Sequence, residues 1–155
     1  MSDPVQPLIP RGHTLSSRND SGRTIRGRLV VGDVSPPLPG ATWSYAMSRL
    51  DSSGRVTEQS MVARLQWSAA DRLTATAHGS DAVIIRRDTS GAFELSGRRR
   101  IRIPASLRAR CALNAGDQVL LAASTRHDLL LVHTMAALDQ LLRNHHHNLV
   151  PEATP

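Results

Sequence analysis

The stretch GRRRIRIPASLRARCALNAGDQVLL, residues 97–121, sets a basic strand, a short helix and an apolar strand side by side. Side chains alternate across a strand, so Ile101 and Ile103 point to one face and Arg98, Arg100 and Arg102 to the other. At ~3.3 Å per residue, alternate arginines are spaced roughly 6.6 Å apart along that face. Pro104 ends the strand and suits the first turn of a helix. That helix is expected over residues 105–112, with Leu107 and Cys111 sharing a face at i,i+4 and Arg108 and Arg110 flanking it. Gly116 and Asp117 then turn the chain into the apolar run Val119, Leu120, Leu121. Residues 129–133 are almost continuously apolar and read as a buried strand.

The same order of elements occurs once before. Residues 47–87, MSRLDSSGRVTEQSMVARLQWSAADRLTATAHGSDAVIIRR, and residues 93–133, FELSGRRRIRIPASLRARCALNAGDQVLLAASTRHDLLLVH, both run strand, turn, strand, short helix, Asp, strand, turn, strand. Gly54, Arg55, Val56 and Thr57 align with Arg99, Arg100, Ile101 and Arg102. Trp67 aligns with Leu113, and Asp71 with Asp117; the helix segment is one residue shorter in the first copy. In that copy Val62 and Leu65 anchor the helix, Leu73 lies in a strand, and Val83, Ile84 and Ile85 form the buried strand. Internal repetition constrains the fold more than any single element does.

Composition narrows the function classes. The chain has 155 residues, 40% hydrophobic but only 3% aromatic, so its core must be aliphatic. Net charge is +6, and all nineteen basic residues are arginine. Eight of them fall between Arg86 and Arg110, against Asp88 and Glu94 alone, which favours a polyanionic partner such as nucleic acid. Guanidinium forks also match phosphate and guanine geometry. A lone cysteine, Cys111, allows no intramolecular disulfide and reads as core filler rather than a nucleophile. No apolar run approaches ~18 residues, so no membrane span is expected, and the N-terminus lacks a signal pattern. A cytoplasmic protein is expected.

Residues 1–42 contain six prolines with Ser, Asn and Gly between them, a composition that buries too little to offset ordering, so a disordered tail is expected. Within it, Arg23 to Val31 could form a strand or a basic arm. Residues 43–89 and 90–134 hold the two repeats, and 135–155 a short helix and frayed tail. Thr134 is the expected N-cap, and Leu138, Leu141 and Leu142 form the stripe of a helix over 135–144. The fold class expected is mainly β with short helices, α+β.

Copy two resembles the SpoVT/AbrB domain, the swapped-hairpin β-barrel shared with MazE-type antitoxins. The family pattern is roughly G-R-V-x-I-P-x-x-L-R, about six residues, then G-D-x-V. Arg100, Ile101, Ile103, Pro104, Leu107, Arg108, Gly116, Asp117 and Val119 match it. The family glycine falls on Arg99, a departure that bears on the turn. Copy one keeps Gly54, Arg55, Val56 and Asp71 but has Glu58 and Gln59 in place of Ile and Pro, and Ala63 in place of the helix arginine, so it resembles a degenerate member. The likeness covers about residues 46–134. It implies two tandem copies interlocking their hairpins into one barrel, either within one chain, as in MraZ-type tandem proteins, or between chains of a homo-oligomer. It also implies duplex DNA as partner and a role in transcription regulation.

The DNA-contacting residues expected are Arg98, Arg99, Arg100, Arg102, Arg108 and Arg110, with Arg55 as the copy-one equivalent of Arg100 and Arg49 on the first strand. An alternative in a different class is an antitoxin that neutralises a toxin protein through the C-terminal helix or the N-terminal segment; a sequence-indifferent architectural or RNA-binding role is a third. His145, His146 and His147 point in different directions on a helix and have no supporting Cys or acidic cluster, so no metal site is expected. No Ser-His-Asp arrangement, paired carboxylates, phosphate-binding glycine loop or zinc spacing stands out, so neither catalytic residues nor a cofactor are expected.

Overall fold

A computed structural model describes residues 40–150. The tail expected over 1–42, with its candidate strand, lies outside the described residues up to residue 39, as do residues 151–155. The fold is α+β: a six-stranded antiparallel sheet with short helices. In chain order the elements are β1 Ser44–Arg49, α1 Ser60–Arg64, β2 Arg72–His78, β3 Ala82–Arg87, β4 Phe93–Glu94, α2 Ala105–Arg110, β5 Gln118–Ser124, β6 Leu129–Thr134 and α3 Met135–Leu149.

The strands lie in the order β1-β5-β6-β3-β2-β4. Each sequence repeat folds its last two strands as a hairpin, β2 on β3 and β5 on β6, while its first strand pairs with the other repeat. Thus β1 lies along β5 with Ser44 opposite Ala123, and β4 lies along β2 with Phe93 opposite Leu73. The centre of the sheet is the β3–β6 pair, with Val83 opposite Val132. Because side chains alternate, this register puts Leu121, Val132 and Val83 on one face, all fully buried, while Leu120 and Ile84 fall on the other and are half-buried.

One core joins both repeats. Val56, Met61, Leu73 and Ile85 from the first pack with Ile101, Ile103, Leu121 and Leu130 from the second. Most of the core is aliphatic; its buried aromatic side chain among the described residues, Trp67, is 1% exposed and satisfies its indole by donating to Asp128 Oδ1 at 2.8 Å. Cys111 is buried, and that burial raises its thiol pKa.

Local structure repeats as well. α1 and α2 end at residues in the left-handed region, Gln66 (φ 57°) and Ala112 (φ 51°). Those conformations stop α2 at Arg110, two residues before the expected end. Asp71 Oδ2 accepts the Ser68 N–H at 2.7 Å, and Asp117 Oδ2 accepts the Asn114 N–H at 2.8 Å, one carboxylate capping each equivalent turn. The expected arginine strand is a different matter. Ladder pairing covers only Phe93–Glu94, and Arg102 keeps a single bridge to Arg55. Between them the chain turns, with Arg99 N–H donating to Ser96 O at 2.7 Å. Ile101 and Ile103 still point into the core, so the alternation holds for 100–103 and fails at 98–99.

α3 begins at its expected cap: Thr134 Oγ1 accepts the Ala137 N–H at 3.1 Å. It runs to Leu149 instead of stopping near 144, because nothing breaks the backbone ladder before Pro151. No described helix is long and apolar enough to cross a membrane.

Candidate nucleic-acid interface

The site is built from two copies of one turn. In the first, the Asp51 N–H donates to Arg55 O at 2.9 Å, the Gly54 N–H to Asp51 O at 3.0 Å, and the Arg55 N–H to Asp51 Oδ1 at 2.9 Å. In the second, the Ser96 N–H donates to Arg100 O at 3.1 Å, the Arg99 N–H to Ser96 O at 2.7 Å, and the Arg100 N–H to Ser96 Oγ at 3.2 Å. Gly54 and Arg99 occupy the same left-handed position, at φ 74° and 55°. The turns are held side by side by the Arg55–Arg102 bridge and by N–H donation from Val56 to Ile101 O (2.8 Å) and from Ile103 to Gly54 O (3.0 Å).

This pairing brings Arg55, Arg98 and Arg100 around one open concavity of about 250 Å³, completed by Ser96 and Gly97. Arg98 is exposed; Arg55 and Arg100 are half-buried. Among the described residues no carboxylate forms an ion pair with any of the three. The Nε of Arg100 is closed off from solvent and donates to no described acceptor. The carboxylate beside the cluster is Asp51. The Arg55 N–H, then the Ser53 N–H and the charges of Arg55 and Arg100, hold its pKa below the ordinary value against a desolvation cost.

The other expected arginines fall in different places. Arg102 is exposed, with Nε donating to Ser53 O at 3.1 Å, so it borders the same turn. Arg108 is half-buried and folds inward: Nε donates to Ile103 O at 3.1 Å, and the side chain lies where a Cβ on Gly54 would sit, 2.5 Å from Nε. It therefore braces the two turns from behind. Arg99 is exposed but does not line the concavity, and Arg110 is exposed at the end of α2 beside Cys111. Arg49 ends β1 and donates to Gly116 O at 2.9 Å. The structure thus gathers Arg55, Arg98, Arg100 and Arg102, and sets Arg49 and Arg110 apart. A larger concavity, about 550 Å³, lies between Cys111 and the start of α3, and none of the eight arginines lines it.

Sequence reasoning missed the capping pair Asp51 and Ser96, although the repeat alignment places them opposite each other. It also missed an ion cluster across the sheet: Arg87 Nε reaches Asp128 Oδ2 at 2.9 Å and Nη1 reaches Asp71 Oδ2 at 3.5 Å, and Asp128 also takes the Trp67 indole. Hydrogen bonding to Asp128 first, and then the attraction of both carboxylates, raises the Arg87 pKa against desolvation. Among the described residues no group of three His, Cys, Asp or Glu is placed to hold a metal ion. Comparison with models of known families, with curated proteins and with solved structures finds no match.

Proposed function

We propose that this chain is a non-enzymatic, cytoplasmic DNA-binding transcriptional regulator of the SpoVT/AbrB type, its two repeats closing a swapped-hairpin barrel within one chain. The observation that carries the reading is the meeting of Arg55 from one repeat with Arg98 and Arg100 from the other, free of ion-paired carboxylates among the described residues. The exchange of first strands between repeats supports the barrel, since a swapped hairpin requires that pairing. In this reading Arg98 and Arg102 run along phosphates, Arg55 and Arg100 line the concavity that Arg98 shares, and Arg108 holds the two turns in register. Phosphate contacts fix position, and only a subset of the arginines reads bases.

The test is duplex binding across a salt series. With about six phosphates neutralised, log K falls against log salt with a slope near −5. Arg98→Gln and Arg102→Gln each flatten that slope by about 1 at unchanged stability. Binding that ignores salt, or replacements at 98, 100 and 102 that leave affinity untouched, overturns the reading.

A second reading, an antitoxin acting through its C-terminal segment, is favoured by α3. Leu141, Leu149 and the following Val150 are 71%, 64% and 72% exposed, and of the helix only Ala137 is buried. Co-purification of the full chain, but not of a chain ending at Thr134, with the product of a neighbouring gene supports it; equal recovery by both excludes it.

A further inference from the structure

We propose that the junction of the two turns is a one-sided phosphate-binding pocket, created by the exchange of the capping carboxylate Asp51 for the neutral Ser96 in the second repeat. The same face carries the DNA reading, and the inference rests on that reading only for where the phosphate comes from.

The two turns make the same hydrogen bonds with different caps. Asp51 Oδ1 and Ser96 Oγ each accept the N–H four residues on, from Arg55 at 2.9 Å and from Arg100 at 3.2 Å. A serine therefore does the structural work of the aspartate without its charge. Ser53 of the first turn corresponds to Arg98 of the second, and Gly54 to Arg99. Residues 51–55, DSSGR, sum to zero; residues 96–100, SGRRR, sum to +3. Turn geometry needs none of this asymmetry, and Arg99 in fact sits in a backbone conformation better suited to glycine.

The charge is also arranged to be used. Arg55, Arg98 and Arg100 surround one concavity, and about 250 Å³ leaves room for a tetrahedral oxyanion with some of its water. Gly97 contributes no side chain, and a Cβ there would meet nothing within 4 Å, so the entrance stays open. The enclosed Nε of Arg100 lacks an acceptor among the described residues, and an enclosed donor without a partner is costly. Asp51 does not fill the role: its Oδ1 takes the Ser53 N–H at 2.8 Å and the Arg55 N–H, and neither of its oxygens is a hydrogen-bond partner of the Arg100 Nε. Guanidinium forks present paired donors to phosphate oxygens, and three of them match a dianion better than a single carboxylate.

Two reciprocal variants test the pocket in the full chain. Ser96→Asp restores the first turn's cap, keeping an acceptor for Arg100 N–H while placing a negative charge in the pocket. Asp51→Ser does the reverse. Inorganic phosphate is titrated at constant ionic strength against chloride and acetate, reading the arginine Nε–H resonances by NMR and melting temperature as the control for folding. The wild type is expected to show a saturable shift at Arg100 with phosphate alone. Ser96→Asp, still cooperatively folded, weakens it about tenfold or more, and Asp51→Ser tightens it about threefold. A shift that does not saturate, that spreads evenly over all arginines, or that survives unchanged in Ser96→Asp overturns the pocket. A short duplex then separates the sources. Competition with phosphate at Arg100 assigns the site to the nucleic-acid backbone. Phosphate binding without any duplex binding assigns it to a free phosphate compound and removes the DNA reading. Duplex binding that leaves Arg100 unmoved, with no phosphate binding, removes the pocket and leaves the DNA reading standing.

Discussion

Arg99 and Gly54 pose the same backbone problem with different side chains. Both stand at positive φ, where an L side chain crowds its own carbonyl at a cost of roughly 1–2 kcal/mol, whereas glycine gives back about 0.5–1 kcal/mol through the entropy of the unfolded chain. Arg99→Gly is therefore expected to stabilise the protein by about 0.5–1 kcal/mol in denaturant unfolding. Gly54→Ala is expected to destabilise it by about 1–2 kcal/mol and to displace Arg108 from its seat on Ile103 O, visible as a shifted Arg108 Nε–H resonance. The sequence alignment of these two residues located the turn. What it did not reveal was the packing of Arg108 against Gly54, because that approach joins segments brought together only by the tertiary pairing of the repeats, although the bond from Arg108 to Ile103 O is local. His133 supplies a pH dependence. Desolvation lowers its folded pKa below the ordinary 6.5, so the unfolded chain takes up the proton first. Stability is then full above 6.5 and declines as pH falls from there toward the folded value. Unfolding curves of His133→Gln are expected to lose that part of the decline between neutral and mildly acidic pH.

At the scale of elements, caps and breakers decide extents more than hydrophobic pattern does. α3 starts where Thr134 caps it, and that residue is only 6% exposed, so no water readily substitutes for its hydroxyl. Thr134→Ala is expected to cost about 1 kcal/mol in thermal or denaturant unfolding, with some loss of helical signal from α3. The start was legible because a capping side chain acts locally. The end was not, since the leucine stripe stops at Leu142 while the helical backbone continues through three histidines to Leu149. The second-repeat arginines show the reverse error. Alternation of Arg and Ile reads as a strand, but strand hydrogen bonds need a partner, and only Arg102 has one, in Arg55. The α+β class, the buried strands β3 and β6 and the helices were legible from period and turn residues. The convergence of Arg55 with Arg98 and Arg100 depends on which turn faces which, and local pattern carries no such information.

For the molecule as a whole, the strand order has a mechanical consequence. Among the described residues β1 makes its ladder only with β5, and β4 only with β2, so either repeat alone would leave its first strand without that partner and half the core uncovered. A piece of that size buries a smaller fraction of its surface than the whole does and falls short of the conformational entropy of ordering it. Folding must therefore be a single cooperative event that includes both repeats, even though the link between β3 and β4 is a short exposed turn near Thr89 and Ser90. Cutting the chain there removes one covalent connection and leaves every ladder intact. Residues 1–89 and 90–155, made separately, are expected to show no cooperative unfolding transition. Mixed or co-expressed, they are expected to elute together as one species and to recover a single transition. The same exchange predicts that Leu130→Ala, in the central β6 and fully buried, costs about 2–5 kcal/mol and shifts both halves' amide-exchange protection together. Independent folding of either piece, or protection lost in one half alone, would show that the repeats are separate domains and that the arginine turns are not held in fixed apposition.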